Sequence, residues 1–202
     1  INSINPVGKD LLLDEIQNGK AEFDKLVDSS DLLPEEQKKS FQESVRKKAA
    51  EAEDAIQKLD VNAATAEQAE VIQEQAVTEE DKFFKFIASS TVDFTLVAKL
   101  ADLEANPNLS EAEKKAVRGE IEQVVEAAKK AIEGADSQEV YDRAKETAVA
   151  HLAKIHPIGK EQFLKEIQEE KTATIEAVEK SQSLSTEEKT AAKKKIEDAA
   201  DI

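Results

Sequence analysis

The sequence predicts an all-α protein built of tandem antiparallel three-helix bundles, stacked end to end in an elongated array. Three observations lead to this prediction: the composition, a sequence repeat, and an apolar stripe with helical spacing. Of the 202 residues, 36% are charged and only 4% are aromatic, with 5 glycines and 4 prolines. This composition is typical of long helices and coiled coils.

Short landmarks recur along the chain at a nearly constant spacing. The stretches LPEEQK at Leu33, LSEAEK at Leu109 and LSTEEK at Leu184 are 76 and 75 residues apart. INPVGK from Ile4 recurs as IHPIGK from Ile155, two periods later. A fixed period of this kind indicates one structural unit per repeat. The predicted units are the end of a preceding repeat, repeat 1, repeat 2 and a partial repeat 3: residues 1–5, 6–81, 82–156 and 157–202.

Each repeat is predicted to contain three helices, named A, B and C. Helix A covers about 9–29, 84–105 and 159–182; helix B about 34–59, 111–134 and 186 onward; helix C about 66–81 and 138–155. The starts of helix B carry S-x-x-E capping boxes, in which two side chains satisfy backbone N–H groups at the helix start. The boxes are Ser110 with Glu113 and Ser185 with Glu188. Helix C is predicted to start at Thr65 with Gln68, and at Asp136 with Glu139.

An apolar stripe runs along helix B of repeat 2. Its members are spaced 4, 3, 4 and 3 residues apart: Val117, Ile121, Val124, Ala128 and Ala131. This is the spacing of a heptad seam. One helix cannot bury such a stripe, but three antiparallel helices can, which is why a bundle is predicted. The order of helices within a module, A-B-C or B-C-A, stays open.

The charge and the residue types exclude several function classes. A net charge of -16 makes the chain a poor ligand for nucleic acid or anionic lipid, which are bound through neutralised phosphates. No apolar run is long enough to span a membrane, so no membrane insertion is expected. His151 and His156 are five residues apart, which places them on different sides of a helix, so no metal site is expected. We expect no cofactor, no catalytic residues and no enzymatic activity.

The stretch DKFFKFIASSTVDF, residues 81–94, holds four of the seven phenylalanines. In the repeat alignment Phe83 matches apolar residues, whereas Phe84 matches glycines and Phe86 and Phe94 match polar residues. The partners are Val7 and Ile158 for Phe83, Gly8 and Gly159 for Phe84, Asp10 and Glu161 for Phe86, and Asn18 and Glu169 for Phe94. Three explanations stay open: packing between modules, a partner-binding surface, or a local shift of register. No proline or glycine lies at this junction, so helix C of repeat 1 can run into helix A of repeat 2.

The landmarks resemble a known family. A proline-led helix, an L-[ST]-x-x-E-K helix start about 27 residues later and a period near 75 are similar to the serial helical repeats of Gram-positive surface proteins. These are wall-anchored proteins of the extracellular-matrix-binding adhesin type. The stretch LSTEEKTAAKKKIEDAA also resembles albumin-binding three-helix modules. The resemblance implies a three-helix fold and an extracellular location on the bacterial cell wall, and it brings no catalytic residues.

Two functions follow as expectations. The first is a non-enzymatic stalk or spacer of a cell-surface adhesin, which contacts neighbouring repeats of its own chain and projects a distal domain from the wall. The alternative is a helical module that binds a host serum or extracellular-matrix protein. Phe83, Phe84, Phe86 and Phe94 are the candidate residues, for packing between modules in the first case and for binding a partner in the second.

Overall fold

The computed structural model describes residues 8–59, 65–157 and 159–200, and within these ranges it contains seven helices and no strand. The helices are α1 (Lys9–Asp28), α2 (Glu35–Lys58), α3 (Ala66–Ala105), α4 (Glu111–Glu133), α5 (Gln138–Lys154), α6 (Lys160–Lys180) and α7 (Thr186–Ala200). The predicted all-α class is therefore confirmed. The predicted end of a preceding repeat, residues 1–5, lies outside the described residues.

Local capping chemistry sets several of the helix ends. In both predicted capping boxes the serine hydroxyl accepts the backbone N–H of the glutamate, and the glutamate carboxylate accepts the serine N–H, at Ser110–Glu113 and Ser185–Glu188. The Thr65 hydroxyl likewise accepts the N–H of Gln68 at 3.2 Å. The predicted start of α5 is different. Ser137, not Asp136, is the cap residue there, and its side chain makes no capping hydrogen bond.

Helices α1, α2 and α3 pack against one another in pairs, and α3 also packs against α5. They belong to one compact unit, which comprises the described residues up to Ala105 and Val117–His156. Its first core cluster draws on all three of the first helices and the α1–α2 loop: Ile16, Phe23, Val27, Leu33, Val45, Ala49, Ala52, Ile56, Ala76, Phe83 and Phe94. A core shared in this way stabilises the three helices together because each buries its apolar face against the other two.

The third helix is continuous across the predicted boundary between repeats 1 and 2. It runs for 40 residues, from Ala66 to Ala105, where two helices were predicted with a break near residues 82–83. Nothing in its sequence interrupts it, since neither glycine nor proline occurs in this range. At the usual rise of 1.5 Å per residue, its length is about 60 Å.

The second compact unit comprises Asn106–Ala116 and the described residues from Pro157 onward. Within it α6 packs against α7. None of the described side chains of these two helices is buried. Gly159 caps α6 and lies against the loop before α4, where a Cβ would overlap the carbonyl oxygen of Asn108, so this position requires a glycine.

Candidate functional site: the aromatic segment of α3

The aromatic segment, residues 81–94, lies in the middle of α3. Two hydroxyl side chains near it bond back within the helix: the Thr78 hydroxyl donates to the carbonyl oxygen of Glu74 at 2.6 Å, and Thr95 donates to Thr91 at 2.8 Å. Such bonds to the residue four positions earlier are compatible with a continuing helix. The segment therefore keeps a single helical register within α3.

The four phenylalanines of the segment point into the packed interior to different extents. Phe83 is fully buried, and Phe94 is only 4% exposed. Phe84 and Phe86 are partly buried and pack against the same core cluster. The structure thus brings all four candidate residues to one apolar cluster, formed with side chains of α1 and α2.

Phe94 and Phe84 contact residues that lie far away in the sequence. The ring of Phe94 meets that of Phe41 on α2 edge to face, with 5.5 Å between the ring centroids. Phe84 lies over Gly19 of α1, where a Cβ would come within 2.8 Å of the ring. Gly19 is thus a packing residue that the sequence reasoning missed, because only a small residue lets the aromatic ring approach the α1 backbone.

A charged cluster adjoins the N-terminal end of the aromatic segment. Burial raises the pKa of Glu80 to about 8, and a hydrogen bond with the carboxyl of Glu15 on α1 and the negative charges of Glu15 and Asp81 act in the same direction. One carboxyl oxygen of Glu80, Oε1, is buried without a hydrogen-bond partner. A carboxyl group in such surroundings keeps its proton at neutral pH, because the charged form would be desolvated and repelled.

Lys85 connects the aromatic segment to the second half of the same compact unit. Its ammonium donates to the carbonyl oxygen of Ala135 at 2.7 Å, pairs with Asp81 at 3.2 Å, and lies 6.0 Å from the ring centre of Tyr141 on α5. Burial, followed by the charge of Asp81, raises the pKa of the Tyr141 hydroxyl. One side chain of α3 thereby holds both the α4–α5 loop and α5.

Helix α4 is rotated relative to the predicted seam. Its buried residues are Ile121, Val125, Ala128 and Ile132, whereas Val124 is half-buried and Ala131 is exposed. The predicted stripe and the buried stripe share Ile121 and Ala128, because α4 is apolar over more than one heptad face. The unburied part of that face lines an open groove between α4 and α5, with a volume of about 550 Å³.

Neither a metal-binding cluster nor a membrane-spanning helix is found in the part of the chain that the structure describes. No group of three or more His, Cys, Asp or Glu side chains in this part of the chain is arranged to hold a metal ion. His151 lines the groove between α4 and α5, and His156 lies beyond the end of α5. Across the same described ranges, every helix is too short or too polar to cross a bilayer.

Comparison with known proteins finds a similarity for one part of the chain. No curated protein and no solved structure matches the chain. Residues 85–160 match a family model described as Domain of Unknown Function (DUF1542), which is found in Gram-positive surface proteins. The matched stretch begins at Lys85 within the aromatic segment and includes the rest of α3, all of α4 and all of α5. These residues are therefore similar to a domain of Gram-positive surface proteins.

Proposed function

We propose that the chain is a non-enzymatic spacer segment of an adhesin on the bacterial cell wall, whose tandem three-helix bundles hold a distal domain away from the wall. In this proposal α1, α2 and the first half of α3 form the bundle of repeat 1. The second half of α3, α4 and α5 form that of repeat 2. The function is mechanical, because a spacer must transmit force and resist bending.

The observation that carries the proposal is the continuity of α3. A flexible junction between repeats needs exposed residues with few contacts across it. Here the junction is helical, and its side chains are packed: Phe83 is fully buried, and Phe94 contacts Phe41 of α2. A continuous helix packed on both sides of the boundary between repeats opposes bending at that boundary.

The family match supports the cellular location in this proposal. The domain of unknown function matched by residues 85–160 is found in Gram-positive surface proteins. The sequence landmarks resemble repeats of wall-anchored adhesins, and both likenesses favour an extracellular position for this segment.

A distance measurement tests the stiffness of the junction. The chain contains no cysteine, so cysteines introduced at two exposed positions, Lys47 on α2 and Glu146 on α5, accept spin labels selectively. We expect one narrow distribution of label distances by pulsed electron spin resonance. Insertion of two glycines between Asp81 and Lys82 should broaden it. A broad distribution in the uninterrupted chain would contradict a stiff spacer.

The alternative function, binding of a host serum or matrix protein, makes a different prediction. A spacer should retain no dominant protein from serum. A single dominant protein retained by the chain, and lost on Phe86→Ser while the helical circular-dichroism signal persists, would instead assign the aromatic segment to partner binding. The burial of Phe83 and Phe94 favours the spacer, since an aromatic residue in a binding surface must be accessible.

A further inference from the structure

Two open grooves of similar size lie at corresponding places in repeats 1 and 2. The first, of about 580 Å³, lies between α2 and α3, and the second, of about 550 Å³, lies between α4 and α5. Three lining residues of the first correspond to lining residues of the second under a shift of 76 residues. The pairs are Ala55 with Ala131, Val71 with Thr147, and Gln75 with His151. We name these surfaces the first and the second groove.

The two grooves differ in charge. The charged side chains that line the first groove are Glu74 and Glu79, both acidic. The second is lined by Arg143 and His151 and by no carboxylate. Glu79 pairs with Lys82 and Arg143 pairs with Glu139, each at 2.6 Å. Both are contacts within one helix. Exposed pairs of this kind contribute little free energy, so their members can change partners at small cost.

Both grooves also expose aliphatic side chains. Val71 of the first groove is 53% exposed, and Val140 of the second is 43% exposed. Alanines line much of the remaining wall of the second groove, including Ala127, Ala131 and Ala144. Short side chains let another helix surface approach closely, and complementary charges among the lining residues select which surface it is.

We propose that the second groove binds the first groove of another copy of this chain, so that Arg143 of one copy faces Glu74 of the other. The contact is between unlike surfaces of two identical molecules. Two copies close into a dimer if the first groove of each can bind the second groove of the other at the same time. If only one such contact can form between two copies, further copies add to the free grooves and an open chain of copies results. The proposal rests on these two surfaces and does not depend on the spacer function.

The association should be weak and should depend on salt. Each groove is short, since the lining residues of α5 extend from Val140 to His151, about 16 Å along the helix axis. Interfaces of this small size are typical of transient complexes. Each copy also carries a formal charge of -16, which opposes association unless salt screens it. Lateral contacts of this strength become effective when many copies are held close together on one surface.

Charge exchange tests the proposal. The chain is studied by sedimentation equilibrium from about 10 µM to about 1 mM, the range in which weak complexes dissociate, in about 0.15 M salt. We expect concentration-dependent self-association. Glu74→Arg alone and Arg143→Glu alone should each lower the association constant at least tenfold, because each places like charges in contact. The double variant, Glu74→Arg with Arg143→Glu, should restore it.

Matched controls separate this contact from general charge effects. Glu146→Arg on α5 and Lys39→Glu on α2 change exposed residues outside both grooves and should leave the association constant unchanged. A chain that stays monomeric throughout the concentration range overturns the proposal. So does self-association that either single variant leaves intact, or that the double variant fails to recover while circular dichroism shows unchanged helicity.

Discussion

Gly19 and Gly119 lie within helices α1 and α4 and differ in their surroundings. A Cβ at Gly19 would lie 2.8 Å from the ring of Phe84 and 3.2 Å from Cδ1 of Ile87, whereas a Cβ at Gly119 would meet nothing within 4 Å. Glycine in a helix interior costs about 1 kcal/mol relative to alanine. We therefore expect Gly119→Ala to raise the free energy of unfolding by about 1 kcal/mol.

Gly19→Ala should have the opposite effect. The crowding cost of an added methyl group in packed surroundings is about 1–3 kcal/mol, which exceeds the gain in helix propensity. We expect a net loss of about 1 kcal/mol in the free energy of unfolding, measured by urea denaturation of both variants. If Gly19→Ala stabilised the protein as much as Gly119→Ala does, the close approach of Phe84 to α1 would be wrong.

The protonation of Glu80 should make stability fall as pH rises. Its pKa is raised to about 8 in the folded chain from an ordinary value of 4.5. Between these values the folded state holds a proton that the unfolded state has released, so the free energy of unfolding decreases as pH increases. The neighbouring acidic groups Glu15 and Asp81 act in the same direction as burial, because their negative charges repel the charged form of Glu80.

Replacement of Glu80 by glutamine isolates this contribution. Because the group is partly exposed, solvent screening reduces the effect, and we expect Glu80→Gln to stabilise the protein by about 1 kcal/mol at pH 9 and by almost nothing at pH 4. The measurement is urea unfolding of both proteins across this pH range, with Glu146→Gln on the exposed face of α5 as the control. If the difference in free energy of unfolding between Glu80→Gln and the native chain did not change with pH, Glu80 would not hold a proton in the folded state that the unfolded chain releases.

At the scale of the helix, the contact of Phe94 with Phe41 should account for part of the stability of α3. Phe94→Ala should lower the free energy of unfolding by about 3 kcal/mol, because it opens a cavity in a packed core. Phe163→Ala, at a side chain that is 54% exposed, should change it by less than about 0.5 kcal/mol.

A comparison of Phe41→Ala, Phe94→Ala and the double variant measures the interaction between the two rings. The free energy of coupling between them should be about 1 kcal/mol, as expected for an edge-to-face pair. A coupling free energy near zero would contradict the contact between the rings of Phe41 and Phe94.

Helix ends were predictable from the sequence because the interactions that set them are local. The capping boxes at Ser110 and Ser185 form as the spacing indicates, since each requires only residues three positions apart. The start of α5 could not be read in the same way. Asp136 and Ser137 are both acceptable cap residues, and the geometry of the preceding loop decides between them.

The continuity of α3 and the rotation of α4 depend on contacts between helices. The sequence shows that nothing breaks α3, but only packing against α1 and α2 determines that it continues. In α4, apolar residues cover more than one heptad face, so the spacing of Val117, Val124 and Ala131 was as good a seam as that of Val125 and Ile132. Gly19 carries no local signal, because its role exists only when Phe84 lies opposite.

At the scale of the whole molecule, the two compact units differ in how much they bury. In the first, α1, α2 and α3 share a core that includes Ile16, Val45 and Phe83 at 0% exposure. In the second, α6 and α7 bury no described side chain, and Phe163 and Leu164 are 54% and 47% exposed. Because burial of apolar area is the main source of stability, the helices of the second unit should be held less firmly than those of the first.

Hydrogen exchange followed by mass spectrometry tests this difference within one sample. Backbone amides of α6 and α7 should exchange at least 100-fold faster than those in the middle of α2 and α3, because local opening exposes almost no additional apolar surface in α6 and α7. Residues 83–94 should be among the slowest, since their helix is packed against α1 and α2. Addition of about 2 M urea should abolish protection in α6 and α7 first. Equal protection in all helices would show that the chain opens as one cooperative unit, and that the shared core around α3 stabilises α6 and α7 as well.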